Sequence, residues 1–245
     1  MNWDEIVERV APSIVKIETP RGHGTGFLCF YNEDKNLCGI ATASHVVEHA
    51  DDWQEPLRIM HLTSKTTQFV KDVDRVIWTE RSKDSAVIVT NIGDLQLPES
   101  PIPLLPVERR LPIGIEVGWL GYPALAEYTL CFFSGNISAW QDWRNAYLVD
   151  GVAINGVSGG PVIYSTPTDG VQIVGSISAY RANRATGEAL PGLSIAQDVS
   201  HFQESTSRIK TIDEANRQKK LLQQQESTTN QPPTDAPPPK SQDSN

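Results

Sequence analysis

Apolar positions change period twice along this 245-residue chain. Trp3, Ile6, Val7 and Val10 recur at three- and four-residue spacing, which predicts an amphipathic helix that Pro12 ends. From position 13 to about 196 the apolar runs are short and are broken by Gly, Pro, Asn and Asp. That pattern predicts strands over 13–18, 27–31, 37–43, 57–62, 69–78, 85–90, 115–120, 128–140, 146–149, 162–164, 171–179 and 193–195. Many short strands with turn residues between them predict an all-β sandwich or barrel. The proline-rich stretch 98–112 interrupts the series and reads as a crossover between two halves. Past Asp198, Thr211 to Glu214 has capping-box spacing and 215–225 is rich in helix formers, so 201–225 is expected to be helical. Residues 226–245 are Ser, Thr, Gln and Pro with almost no large apolar side chains, the composition of a disordered tail.

Three strand ends carry the chemistry. Gly156-Val157-Ser158-Gly159-Gly160-Pro161 places a serine in a glycine-rich turn, where its hydroxyl is exposed and backbone N–H groups converge. Thr42-Ala43-Ser44-His45 closes one apolar run, and Asp84 stands immediately before another, Ala86-Val87-Ile88-Val89. The chain order His…Asp…Ser is that of the chymotrypsin-type triad. In such a triad His45 is the base, Asp84 orients it, Ser158 is the nucleophile, and the N–H groups of Gly156 and Ser158 form the oxyanion hole.

The resemblance extends along the chain. The opening 2–15, Gly24-Thr25-Gly26-Phe27, Gly121-Tyr122-Pro123, Ser134-Gly135-Asn136-Ile137-Ser138-Ala139 and Gly192-Leu193-Ser194-Ile195-Ala196 run in the order of corresponding motifs in HtrA proteases, which the chain resembles to about position 197. That resemblance implies a protease domain over 1–200, built as two packed six-stranded antiparallel β-barrels with a short helix at either end. His45 and Asp84 then come from the first barrel and Ser158 from the second. It further implies a serine endopeptidase acting on proteins or peptides without cofactor or metal.

By the same alignment, Val152, Ala153 and Asn155, with the strand 176–180, line the specificity pocket. Neither segment has a carboxylate for Lys or Arg, and Val152 and Ala153 favour a small or medium aliphatic residue. Tyr180 either narrows that pocket or packs at its edge, and Ser178 matches the serine that supports the triad aspartate. Val157 departs from the family, which has Asp or Asn there, so no ion pair with a new N-terminus is expected. No PDZ domain, which HtrA proteases commonly carry, is expected in this sequence. HtrA relatives often trimerise, but no residue here marks such an interface.

Bulk properties limit the partners. A net charge of −9 argues against a nucleic-acid surface, and Arg217 to Lys220 reads as a solvated helix face. No run approaches the roughly 18 apolar residues of a membrane span. The N-terminus has no signal-peptide pattern, so a cytoplasmic location is expected. An odd count of three cysteines fits free thiols, although Cys29 and Cys38 flank a turn across which a pair is geometrically open.

Other readings compete. His45-Val46-Val47-Glu48-His49 is a literal HxxEH zinc-peptidase motif, with only a short helical turn expected to carry it. Gly156-x-Ser158-x-Gly160 also fits a nucleophile elbow, with Asp169 or Asp198 and His201 as formal partners. A catalytically silent, protein-binding module on the same fold is the alternative from another class.

Overall fold

The computed structural model describes residues 2–126, 128–182 and 189–229, with side chains placed except at 179–191 and 226–229. After helix α1 (Trp3–Val10), the first half holds β1 (Ile14–Thr19), β2 (Gly22–Tyr31), β3 (Leu37–Thr42), α2 (Ser44–Asp52), β4 (Leu57–His61), β5 (Thr66–Val70), β6 (Arg75–Glu80) and β7 (Ser85–Asn91). The second half holds β8 (Glu116–Gly121), β9 (Cys131–Gln141), β10 (Ala146–Asp150), β11 (Pro161–Thr166), β12 (Gly170–Ala182) and β13 (Ala189–Asp198), followed by α3 (Ser200–Thr229). Among the described residues, every strand pairing is antiparallel except one isolated parallel bridge, Leu104 to Ile173, which pins the crossover to the second half.

The second half closes as a six-stranded barrel in the order β10-β13-β12-β11-β8-β9, as expected. The first half differs from expectation: it is a seven-stranded sheet, β5-β4-β1-β2-β3-β7-β6, that does not close by hydrogen bonds. The apolar run 69–78 is two strands, because Asp72–Asp74 forms a 3-10 turn inside it. The gap between β5 and β6 is bridged instead by Arg75, whose guanidinium donates to the carbonyls of Val70 (3.3 Å) and Ala50 (2.9 Å). β7 is buried on both faces between β3 and β6, which explains its unalternating Ala86-Val87-Ile88-Val89.

One core lies inside the seven-stranded sheet, around Val15, Ile17, Leu28, Ile40 and Ile59. The other fills the barrel and continues through Phe27 and Trp119 to α1 (Ile6, Val10) and α3 (Phe202, Ile209). Cys29 faces the second core and Cys38 the first, so the two do not meet across their hairpin; both are free, and burial pushes each thiol up to about 12.

Two helical expectations are corrected. α2 is a full nine-residue helix rather than a single turn. α3 begins at Ser200, so Thr211 is not a cap but an interior residue whose hydroxyl donates to the Ser207 carbonyl one turn back (3.1 Å). The tail 226–245 expected to be disordered has only its helical backbone to 229 within the described residues.

Candidate active site

Asp84 organises the first half of the site. It ends the turn Arg81–Lys83 in the left-handed conformation (φ 47°, ψ 44°), which Asp tolerates better than most residues, and this turns its carboxylate back towards α2. There it does the work of a missing cap: Ala43 at the N-cap has no side-chain acceptor, so the Ser44 N–H donates to the Asp84 carbonyl (3.1 Å) and the His45 N–H to Asp84 Oδ1 (3.0 Å). The same carboxylate receives His45 Nδ1 at 2.9–3.0 Å. Ser178 Oγ donates to Asp84 Oδ2 at 2.6 Å. Ser178 is aimed there by a bulge in the β12–β13 ladder at Ile177/Ala179.

The electrostatics follow from these contacts. The Asp84 hydrogen bond raises the His45 pKa above its ordinary value, against the opposing effect of burial. Burial pushes Asp84 upward, but the bonds from His45 and Ser178 outweigh it and hold the carboxyl below its usual range. An imidazole that is basic, oriented and attached through Nδ1 leaves Nε2 to exchange protons.

Ser158 lies in the β10–β11 loop and lines one cleft of about 310 Å³ with His45, Asp84, Ala153, Ile154, Asn155, Ile177 and Ser178. Among the described residues no hydrogen bond joins His45 Nε2 to Ser158 Oγ; catalytic contacts of this kind commonly tighten only when substrate is bound. A larger depression of about 460 Å³ beside α3 brings together no nucleophile and base.

The loop is held by a residue whose role the sequence did not reveal. Thr25 is fully buried. Its N–H donates to the Ser158 carbonyl (2.8 Å), and its Oγ1 donates to the Gly156 carbonyl (2.8 Å) while accepting from the Tyr122 N–H (3.0 Å). Its own carbonyl accepts from Thr42 Oγ1 (2.8 Å). Gly159 (φ +83°) must be glycine, since a Cβ there would collide with the Thr25 carbonyl and Thr42 Oγ1. Val157 is fully buried and packs on Gly121, so apolar contact holds the turn from inside.

The Asn155 carbonyl accepts from the Ala124 N–H at 2.7 Å. In a trans peptide the C=O and N–H point oppositely, so the Gly156 N–H faces away from Ala124. Among the described residues, neither the Gly156 nor the Ser158 N–H is taken by a protein acceptor.

Of the expected pocket residues, Ala153 and Asn155 line the cleft. Val152 is about half exposed (49 %) and does not line it; Ile154 and Ile177 do. Ser178 lines the cleft too and bonds Asp84, and the Tyr180 side chain lies outside the described residues. The HxxEH histidines both sit on α2, but each engages its own carboxylate, His45 with Asp84 and His49 with Glu55 (3.0 Å). No group of three potential ligands stands together among the described residues. The elbow reading fails on fold: Ser158 is followed by β11 rather than a helix, Asp169 pairs with Arg109, and His201 bonds the Trp78 carbonyl.

Comparison with known proteins agrees with this architecture. A serine endoprotease structure from Yersinia pestis superimposes with a TM-score of 0.62 at 20 % identity; the match covers 85 % of this chain and 66 % of that one, so the chain spans slightly under two thirds of that protein. An inactive mutant form of Rv3671c from M. tuberculosis superimposes with a TM-score of 0.56 at 17 % identity, covering 83 % and 89 % of the two chains. No curated protein matches the sequence. Residues 24–168, which include His45, Asp84 and Ser158, match the trypsin-like peptidase domain, and the chain belongs to that family.

Proposed function

We propose that this trypsin-like peptidase is a serine endopeptidase that cleaves peptide bonds through His45, Asp84 and Ser158. The observation that carries the reading is the Ser178–Asp84–His45 hydrogen-bonded chain ending beside Ser158 in one cleft. In the proposed reaction Ser158 Oγ attacks the scissile carbonyl as His45 Nε2 takes its proton. The charge that develops on the carbonyl oxygen is received by the N–H groups of Gly156 and Ser158, each such donor typically worth about 3–4 kcal/mol of barrier. His45 then gives the proton to the leaving amine, which departs and leaves an ester on Ser158. Water, deprotonated by His45, attacks that ester; the Oγ–acyl bond breaks, the carboxylic acid product leaves, and His45 returns the proton to Ser158 Oγ. Asp84 remains ionised throughout, consistent with its lowered pKa.

The cleft favours an apolar acyl-side residue, since Ala153, Ile154 and Ile177 line it and its one carboxylate, Asp84, is occupied by His45 and Ser178. Membership of the HtrA branch is part of the proposal and rests on the ordered motif series. A peptide-library digest tests specificity: cleavage after small or medium aliphatic residues, lost in Ser158→Ala, is expected, and cleavage after Lys or Arg would overturn the pocket assignment. The second reading is a switched-off, protein-binding form. The open His45–Ser158 contact favours it, and a chain that binds partners but never cleaves would establish it.

A further inference from the structure

His23 is the polar residue near this loop that the proposed chemistry leaves unused. It lies on β2 directly opposite Glu18 of β1, and Thr25 lies opposite Lys16, so the four share one face of the hairpin. Lys16, only 1 % exposed, donates to Glu18 at 2.8 Å and stands 4.2 Å from the centre of the Tyr128 ring; Arg58 holds the other Glu18 oxygen at 3.1 Å. His23 Nε2 is buried and has no hydrogen-bond partner. A Cβ built on Gly156 would lie closest to the Tyr122 carbonyl oxygen, then 2.6 Å from that nitrogen and 2.9 Å from the Ala124 nitrogen. His23 and Ala124 therefore approach the glycine from one side, the side on which the Asn155 carbonyl is held.

The Asn155–Gly156 peptide has two orientations to choose between. With its carbonyl on the Ala124 side, the Gly156 N–H is free for an oxyanion. Rotated by half a turn, it would bring the N–H towards both His23 and the Tyr122 carbonyl, which would accept it, and send the carbonyl the other way, which would close the hole. An Nε2–H donor is complementary to the carbonyl and opposes the N–H.

We propose that His23 is a positioning residue for the oxyanion loop: Nε2–H supports the carbonyl face of the Asn155–Gly156 peptide and so keeps the Gly156 N–H turned to the substrate. This rests on the serine-peptidase reading above. A group acting through the hole alters the transition state more than substrate binding, so its signature is in kcat.

The test compares wild type, His23→Leu and His23→Gln in peptide hydrolysis, in the rate of labelling by a fluorophosphonate whose phosphonyl oxygen enters the same hole, and in urea unfolding. His23→Leu, which fills similar space without a nitrogen, is expected to lose about 10-fold or more in kcat with KM within about twofold, and to be labelled correspondingly more slowly. His23→Gln, which restores an N–H donor, is expected to recover most of that loss. If His23→Leu does not fold, His23→Met supplies a more adaptable side chain without a donor. Equal losses in the Leu and Gln variants, a loss confined to KM, or no loss at all while wild type is active would overturn the role of His23 alone. A wild type that is neither labelled nor able to cleave would overturn the peptidase reading and this role with it.

Discussion

Thr25→Val replaces a hydroxyl by a methyl at a site with no exposure, and the bonds around it set the size of the effect. The hydroxyl serves two partners, the Gly156 carbonyl and the Tyr122 N–H. Valine leaves both unpaired in a buried site, at about 1–3 kcal/mol each, and burial of the extra methyl offsets part of that. A net loss of about 2–4 kcal/mol follows, which for a domain of this size lowers Tm by about 5–15 °C. The backbone bond from the Thr25 N–H to the Ser158 carbonyl survives the substitution, so Ser158 stays in place while Gly156 loosens. Complete loss of one oxyanion donor costs about 100-fold or more, so partial loosening should lower kcat by about 10-fold with little change in KM. Thr25→Ser keeps the hydroxyl and should retain most of both properties. Differential scanning calorimetry and peptide-hydrolysis kinetics measure the two effects. A Val variant melting within about 1 °C of wild type, with kcat unchanged, would refute the clamp.

Four further outcomes follow. With His45 as the proposed base, which must be neutral to act and whose pKa is raised, kcat/KM should rise with pH through a midpoint above the ordinary imidazole value of about 6.5, and Asp84→Asn should lower both the midpoint and the rate. In stability, the raised His45 contributes below its unfolded pKa and is lost as pH rises through the folded value. The lowered Asp84 contributes above its unfolded pKa and is lost as pH falls through the folded one, so urea midpoints should show the largest Asp84→Asn deficit at mildly acidic pH. Val157→Asp puts a carboxylate into a fully buried site and should destabilise the fold by several kcal/mol, seen as a lower urea midpoint, rather than create an N-terminal activation switch. Chelator treatment should leave hydrolysis unchanged, because His45 and His49 are committed to separate carboxylates; loss of activity restored by zinc would revive the HxxEH reading.

The sequence pointed to His45, Asp84 and Ser158, which line one cleft, because each stands near a strand boundary with turn residues about it, and strand boundaries are where apolar runs stop. It also pointed to Ser178 as support for Asp84, and the 2.6 Å bond joins those two. Thr25 was visible only as part of Gly24-Thr25-Gly26-Phe27. Its partners Gly156 and Tyr122 are 131 and 97 residues away, and periodicity does not report contacts across that distance. The split of 69–78 was hidden because Val73 continues the apolar run, yet it is 86 % exposed on the turn. Closure of the first sheet was misjudged for a related reason. Arg75 looks like an ordinary surface charge in the sequence, but its side chain is 1 % exposed and bridges the two edge strands. Thr211 misled because capping-box spacing also occurs inside helices, where the hydroxyl bonds the preceding turn.

The central claim is that Ser158 is an activated nucleophile. Incubating wild type and Ser158→Ala with a fluorophosphonate probe, followed by mass spectrometry of the adduct, tests it most directly. Labelling of wild type alone, with the adduct on Ser158, is the predicted result. No adduct on wild type that is folded and binds a peptide, or equal labelling of both proteins, would contradict it.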